Sequence, residues 1–132
     1  MIKFEKVSRF NSVDFEMPCR KTDFSAGYDM VVAEDITIPP YDTLNRKMSE
    51  LLISYPAEGI TLSDMANITK SIAAKPTLVS TGVKCYLDEG FYLELSVRSS
   101  TPLKHWLVLA NGIGIIDADY ADNEANEGEI FF

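Results

Sequence analysis

Histidine, cysteine and long apolar runs are scarce in this chain, and each scarcity excludes a class of function. His105 is the only histidine among 132 residues, so a histidine-rich metal site is excluded and a Ser-His-Asp triad would have to use that one ring. Cys19 and Cys85 form no C-x-x-C pair, so we expect free buried thiols rather than a zinc or redox motif. No apolar run approaches the ~18 residues of a membrane span, and the N-terminus lacks a signal-peptide layout. These absences predict a cytoplasmic protein with no membrane partner.

Basic residues are also few. The chain has 12 Lys and Arg against 20 Asp and Glu, a net charge of −8, and the basic residues form no stripe. We therefore expect no nucleic-acid partner, because a phosphate backbone requires clustered cations. The glycine-rich phosphate loops of P-loop and Rossmann proteins are absent too. A small anionic substrate remains compatible with this charge if local cations and a metal ion offset the repulsion.

The remaining composition is that of a globular protein, with 46% apolar and 24% charged residues, and the length predicts one domain over 1–132. Its pattern is dominated by short β segments. From Phe91 to Val97 apolar and polar residues alternate, as in a half-buried strand. Thr77–Tyr86 is predicted to be the hairpin partner of that strand, and Trp106–Ala110 a buried strand before the Asn111-Gly112 turn. Further strands are expected at Tyr28–Ala33 and Ile36–Ile38.

Residues 43–75 interrupt the β pattern. Apolar residues recur there at helical spacing: Leu44, Met48, Leu51, Leu52, Tyr55, then Leu62, Met65, Ile68 and Ile72. Thr61 and Asp64 have the spacing of a capping box at the start of the second group. Because about 33 residues are too few for an independent core, we interpret 43–75 as a helical insertion within the β domain.

Three stretches carry the chemistry. The first is Ala26-Gly27-Tyr28-Asp29-Met30, the second is Arg98-Ser99-Ser100, and the third runs from Lys104 to Tyr120. Singly they are weak signals, but in this order they resemble the motifs of the trimeric, all-β dUTPase family over most of residues 24–120. The resemblance implies a dUTPase-like β-barrel or jelly roll and a homotrimer with shared active sites.

The resemblance also assigns roles to the phosphate-binding and catalytic residues. Arg98 offers a planar fork of donors, and Ser99 and Ser100 add hydroxyls and amides, a combination suited to phosphate oxygens. Asp117 matches the family's carboxylate that orients the attacking water. Asp29 matches the aspartate near the water shell of the Mg²⁺ cofactor, a contact made through water because substrate phosphates hold most of the metal.

The third stretch matches the hairpin that holds uracil, through Asn111, Gly114 and Ile116. Glycine suits this position because the backbone must approach the ligand closely. Tyr120 matches the residue whose ring packs under the deoxyribose and leaves no room for a 2′-hydroxyl. Without the resemblance, Asn111-Gly112 would be an ordinary turn and Tyr120 an ordinary core residue.

The implied function is Mg²⁺-dependent hydrolysis of dUTP to dUMP and pyrophosphate by a nucleotide-pool enzyme of a phage or a bacterium. The enzyme is expected in the cytoplasm, which for a phage-encoded protein is that of the host cell. Two alternatives remain open. One is a dCTP deaminase-like enzyme, which shares the fold but usually has a second Arg soon after Arg-Ser-Ser, where this chain has Thr101-Pro102-Leu103-Lys104. The other is a non-catalytic nucleotide-binding regulator or structural trimer.

The sequence departs from the family pattern in four places. Val97 stands where Pro usually precedes the Arg, and Trp106 where a small residue is common. About six extra residues separate Tyr120 from Gly128-Glu129, and we expect a strand to resume there. The chain stops at Phe132, before the C-terminal strands and the glycine-rich arm of the family, so this form is expected to be weakly active or inactive.

Overall fold

A computed structural model of the chain describes residues 1–39, 50, 53, 59, 61–64, 66–67 and 76–132. Contacts divide the chain into two compact units, Met1–Ile36 with Leu78–Phe132, and Thr37–Thr77. The elements of the first unit are, in chain order, β1 (Ile2–Lys6), a 3-10 helix (Ser8–Phe10), β2 (Val83–Leu87), β3 (Tyr92–Leu95), α1 (Ser100–His105) and β4 (Gly114–Asp117).

The second unit contains the whole of the predicted helical insertion, 43–75. Thr61 N donates to Asp64 Oδ2 at 3.0 Å, and Asp64 N donates back to Thr61 Oγ1 at 3.1 Å. Residues 62–64 and 66–67 are helical, so the predicted capping box is confirmed. Of the apolar residues whose helical spacing predicted the insertion, only Leu62 lies in the described part of the chain. That 43–75 belongs to the same domain stays a prediction.

The strands of the first unit form two antiparallel pairs among the described residues. β1 pairs with β2 from Ile2↔Leu87 to Lys6↔Val83, and β3 pairs with β4 from Tyr92↔Asp117 to Leu95↔Gly114. The predicted hairpin between Thr77–Tyr86 and the strand at 91–97 is therefore wrong. The first strand competes successfully for β2 because its own alternation places Ile2 and Phe4 on the same core face as Cys85 and Leu87.

Three other expected strands are not strands in the described residues. Tyr28–Ala33 contributes a single bridge, between Asp29 and Cys19, and Ile36–Ile38 contributes none. Trp106–Ala110 follows α1, whose end is closed by a hydrogen bond from Trp106 N to Pro102 O at 3.1 Å. Trp106 adopts a left-handed φ of 53° and is 91% exposed, so its apolar character does not bury this segment.

The larger core cluster lies between the two strand pairs of the first unit. Its buried members are Cys85 from β2, Leu95 from β3, Ile116 from β4, and Ile130. Ile130 is fully buried, which contributes about 2 kcal/mol of hydrophobic stabilisation. Burial also raises the pKa of the Cys85 thiol to about 11, so this cysteine is an inert core residue, as its sequence context predicted.

Residues 129–132 run beside residues 79–83. Val79 and Phe132 exchange backbone hydrogen bonds of 2.7 and 2.9 Å, and Ile130 N donates to Val83 O at 2.9 Å. The buried Glu129 carboxylate receives two hydrogen bonds from Arg9, at 3.0 and 2.7 Å, and a third from Ser80. A two-pronged Arg–carboxylate contact of this kind satisfies a buried charge that would otherwise be costly. The strand expected to resume at Gly128-Glu129 is not formed: this segment makes one isolated β-bridge, between Phe131 and Ser80, and Glu129 ties it to the 3-10 helix.

Candidate active site

Arg98 and Asp29 come from separate predicted motifs and meet in the structure. Arg98 Nη1 lies 3.1 Å from Asp29 Oδ2, in an ion pair whose side chains are 73% and 30% exposed. Backbone hydrogen bonds of 3.2 and 2.9 Å with Cys19 hold Asp29 in place, while Arg98 extends into solvent. Because the pair is largely exposed, it is weak, and an anion that binds Arg98 can displace the carboxylate.

Ser99 and Ser100 follow Arg98 at the start of α1. Ser99 is the N-cap residue, yet its side chain makes no capping hydrogen bond, and Ser100 is the first helical residue. Neither hydroxyl therefore caps this helix. Together with Arg98, which precedes them in the sequence, they form a short run of donors of the kind that binds phosphate oxygens.

The β3–β4 register fixes the position of Asp117, the last residue of β4. It lies opposite Tyr92 and is exposed, so its carboxylate is accessible to a water molecule. The next residue inward, Ile116, is 9% exposed and packs in the core. Its predicted contact with substrate would therefore have to come from its backbone, while its side chain holds β4 in place.

Gly114 begins β4 opposite Leu95. A Cβ at this position would lie 3.1 Å from the Leu95 Cβ, which is tighter than ordinary contact, so the absence of a side chain allows the two strands to approach. Asn111 lies before Gly114 in an exposed turn, and the residue after Asn111, Gly112, has a left-handed φ of 75°. A turn of this kind leaves the Asn111 amide and nearby backbone groups open to a ligand.

Tyr120 lies just after β4 and is half-buried against the core. Its backbone N donates to Asp117 O at 3.1 Å, which ties it to the predicted catalytic residue. Its hydroxyl accepts a hydrogen bond from Asn126 Nδ2 at 2.8 Å and donates to Glu129 O at 3.3 Å. Tyr120 is thus held both at its backbone N–H and at the hydroxyl of its ring.

The sequence-predicted residues form two groups along the β3–β4 ladder. The first group lies near the end of the ladder where Leu95 pairs with Gly114: Arg98, Ser99 and Ser100 follow β3 there, and Asn111 precedes β4. The second group, Asp117 and Tyr120, belongs to the opposite end, where Asp117 pairs with Tyr92. Three residue steps, about 10 Å, separate the two ends of the ladder. Asp29 joins the first group through Arg98.

The loop of residues 121–128 is anchored by a buried lysine. Lys84 Nζ donates to Asp122 Oδ1 at 2.5 Å and to Glu127 Oε1 at 3.0 Å, and Ser8 N donates to Glu127 Oε2 at 2.9 Å. The Lys84 ammonium holds the pKa of Asp122 below its ordinary value of 3.8. The backbone N–H of Ser8, with help from Lys84, lowers the pKa of Glu127 below 4.5.

These lowered pKa values predict a specific pH dependence of stability. Their contribution to the free energy of unfolding is present above the ordinary pKa values and is lost as the pH falls through the lowered ones. Lys84→Met keeps the aliphatic stem and removes the charge. We expect its destabilisation relative to the native chain to shrink between about pH 5 and pH 3 in urea titrations. Lys104→Met, at an exposed lysine of α1, is the control, and a pH-independent effect of Lys84→Met would show that Lys84 acts by packing alone.

The described residues offer neither a cluster of metal ligands nor a helix that could span a membrane. They contain no group of three or more His, Cys, Asp or Glu side chains placed to hold a metal ion. Asp29 Oδ2 contacts Arg98, and its Oδ1 can accept a hydrogen bond from a metal-bound water, the indirect role that the resemblance implies. None of the described helices is long and apolar enough to cross a bilayer.

Comparison with known proteins identifies the family. Proteins named deoxyuridine 5′-triphosphate nucleotidohydrolase from Lactococcus lactis subsp. lactis (strain IL1403) and Chlamydia felis (strain Fe/C-56) are 31% and 38% identical over 128 and 89 residues. These matches cover 97% and 61% of this chain, but only 63% and 60% of the relatives. A crystal structure of dUTPase from Streptococcus mutans is 34% identical with a TM-score of 0.65, and the match covers 97% of this chain and 73% of that one. This chain belongs to the dUTPase family.

Membership of the dUTPase family confirms the all-β fold class predicted from the motifs. The chain spans less than two thirds of the length of the two curated dUTPases named above. No model of a known protein family matches it. The roles of the individual site residues stay predictions, and the structure adds which of them lie together.

Sequence reasoning missed the residues that hold this dUTPase-family site in place. Arg9, Lys84 and Glu129 were not singled out, although two of them carry charge in otherwise apolar β segments, a pattern that signals a buried ion pair. Asn123 and Asn126 were noted only as inserted residues. Their spacing in an acidic, glycine-ended loop is typical of side chains that hydrogen-bond to the local backbone.

Proposed function

We propose that the protein hydrolyses dUTP to dUMP and pyrophosphate in an oligomeric assembly with shared sites, with Mg²⁺ as cofactor. Family membership supports the reaction, and the observation that carries it to this site is the Arg98–Asp29 ion pair. That contact unites the predicted phosphate-binding residue with the carboxylate predicted to lie near the metal. A triphosphate that takes Arg98 would free Asp29 for the water shell of its metal ion.

Each step has a residue of suitable chemistry. Arg98 binds phosphate oxygens through its guanidinium, and Ser99 and Ser100 add donors beside it. Asp117, exposed at the end of β4, accepts a hydrogen bond from the attacking water and takes its proton as the bond between the α and β phosphates breaks. Mg²⁺, when bound with the substrate, would supply charge neutralisation on the phosphates, and Asp29 is the residue that would help to hold it, by way of its water shell.

Selectivity is assigned to the third motif. The Asn111 amide and the exposed turn backbone pair with the uracil edge, and the close approach at Gly114 narrows the space beside it. Tyr120 packs beneath the deoxyribose, where its ring excludes a 2′-hydroxyl. Specificity of this kind depends on a side chain that cannot move aside.

The two groups of site residues support a homotrimer with shared sites. The phosphate-binding group follows one end of the β3–β4 ladder, and Asp117 and Tyr120 belong to the other. Both Arg98 and Asp117 are exposed, so each is accessible to a second copy of the chain. Closed symmetric assembly is the usual arrangement for soluble proteins that share sites between subunits.

The test is pyrophosphate release by the full-length protein with Mg²⁺ from dUTP, UTP, dTTP and dCTP. We expect turnover of dUTP well above that of the other three nucleotides, and loss of turnover with a chelator. Ammonia release from dCTP would contradict the proposal and favour a deaminase. Binding of dUTP without turnover would contradict it as well and favour a regulatory or structural trimer.

A further inference from the structure

The loop after Tyr120 is a compact structure built around two asparagines. Asn123 Oδ1 accepts hydrogen bonds from Ala125 N at 3.0 Å and Asn126 N at 3.1 Å. Asn123 Nδ2 donates to Tyr120 O at 2.9 Å and to Asn126 Oδ1 at 2.8 Å. The loop therefore closes back onto the backbone of Tyr120.

The amide of Asn126 faces the hydroxyl of Tyr120 in a defined orientation. Its Oδ1 accepts from Gly128 N at 3.1 Å and from Asn123, while its Nδ2 donates to the Tyr120 hydroxyl at 2.8 Å. The reverse orientation would place the amide hydrogens against two other donors, so the network itself fixes which end points to Tyr120.

The base of the loop is rigid for a separate reason. A Cβ at Gly128 would lie 2.6 Å from Ala121 Cα and 2.7 Å from Tyr120 O, so only glycine allows the two ends of the loop to meet. Asp122 and Glu127, which both adopt left-handed φ values, are held by Lys84 in β2. Asn126 is thus presented to Tyr120 from a frame attached to the sheet.

We propose that Asn126 is a positioning residue for sugar selection: it fixes the Tyr120 ring through its hydroxyl and thereby sets the preference for deoxyribonucleotides over ribonucleotides. The inference rests on the proposed function, in which Tyr120 lies beneath the deoxyribose. A ring held only by packing could tilt away from a 2′-hydroxyl, whereas a ring tethered at its tip cannot. Asn126 itself touches neither the substrate nor the reacting atoms.

The test compares kcat/KM for dUTP, UTP and dTTP in the full-length protein. Asn126→Ala is expected to lower the dUTP-to-UTP ratio about threefold to tenfold, the effect of one lost hydrogen bond. The dUTP-to-dTTP ratio should change by less than about twofold, because the base is read elsewhere. Glu124→Ala, an exposed change in the same loop, is the control and should leave both ratios unchanged.

Tyr120→Phe keeps the loop intact and removes the hydroxyl with both of its hydrogen bonds, to Asn126 and to Glu129 O, so the dUTP-to-UTP ratio should fall at least as far as in Asn126→Ala. The double variant should fall no further than Tyr120→Phe, because that change already removes the contact with Asn126. Equal losses for all three nucleotides, additive effects in the double variant, or an unchanged ratio in Tyr120→Phe would each overturn the inference. If the native protein prefers dUTP to UTP and Asn126→Ala keeps that preference, only the inference is overturned. If the native protein hydrolyses no dUTP, the proposed function is overturned and the inference with it.

Discussion

Asp117→Asn is expected to lower the turnover of dUTP by on the order of 10²-fold or more while changing nucleotide affinity by less than about tenfold. The amide has the shape of the carboxylate but cannot take a proton from water. Because Asp117 is exposed at the end of β4 and its side chain is not part of the core, the substitution should leave the fold unchanged. Single-turnover rates with dUTP and calorimetric titration with a non-hydrolysable α,β-imido analogue measure the two quantities separately.

Asp119→Asn is the matched control, since Asp119 is an exposed aspartate two positions further along the same turn. It should change turnover by less than about twofold. A parallel fall of affinity and turnover in Asp117→Asn would contradict the assigned role, because an interaction made only in the transition state leaves ground-state binding largely intact. In that case Asp117 would belong to the binding surface.

Local patterns predicted strands β2 and β3 but not their partners. In β3, Leu93 and Leu95 are more buried than Tyr92 and Glu94, as the alternation predicts. The pairing of β2 with β1 joins residues that are far apart in the sequence, and short-range signals such as the Asp88-Glu89-Gly90 turn cannot reveal it. Alternation states which face of a strand is apolar, and only the competition between possible partners decides which strand covers it.

The apolar segment after α1 shows a second limit. Trp106 and Val108 are 91% and 73% exposed, although hydrophobicity predicted a buried strand there. Helix α1 runs from Ser100 to His105 and is followed by the left-handed C-cap residue Trp106, so the segment after it does not continue as a strand. Composition predicts burial only where the backbone also delivers the residue to the core, and that depends on the local helix.

The candidate site residues were named from short motifs, and their individual roles stay predictions. Asp29 and Arg98 were named separately, and the structure shows that they are in contact. The residues that support Tyr120 were not named, because they lie in an inserted loop where no resemblance to the family applies. Their role follows from hydrogen-bond geometry, which depends on how the loop closes at Gly128.

A shared site makes a second strong prediction, for mixed oligomers. Arg98→Ala should weaken triphosphate binding and Asp117→Asn should lower turnover by on the order of 10²-fold, so each variant alone is expected to have about 1% of native activity at dUTP concentrations below the native KM. When the two are unfolded together and refolded as an equal mixture, a site drawing Arg98 from one copy and Asp117 from another finds both native residues in about a quarter of cases. Activity should therefore return to about a quarter of the native value.

If each site were formed within one copy, the first mixture would recover no activity. Every chain in that mixture carries one of the two substitutions, so no such site could have both native residues. A second mixture makes the distinction quantitative: native chain refolded with the double variant gives about a quarter of native activity if sites are shared, and about half if they are not. Light scattering confirms that both mixtures reassemble. No recovery in the first mixture together with half activity in the second would overturn the shared site, and it would require Arg98 and Asp117 to act together across the β3–β4 ladder of a single copy, whose paired ends are about 10 Å apart along the strands.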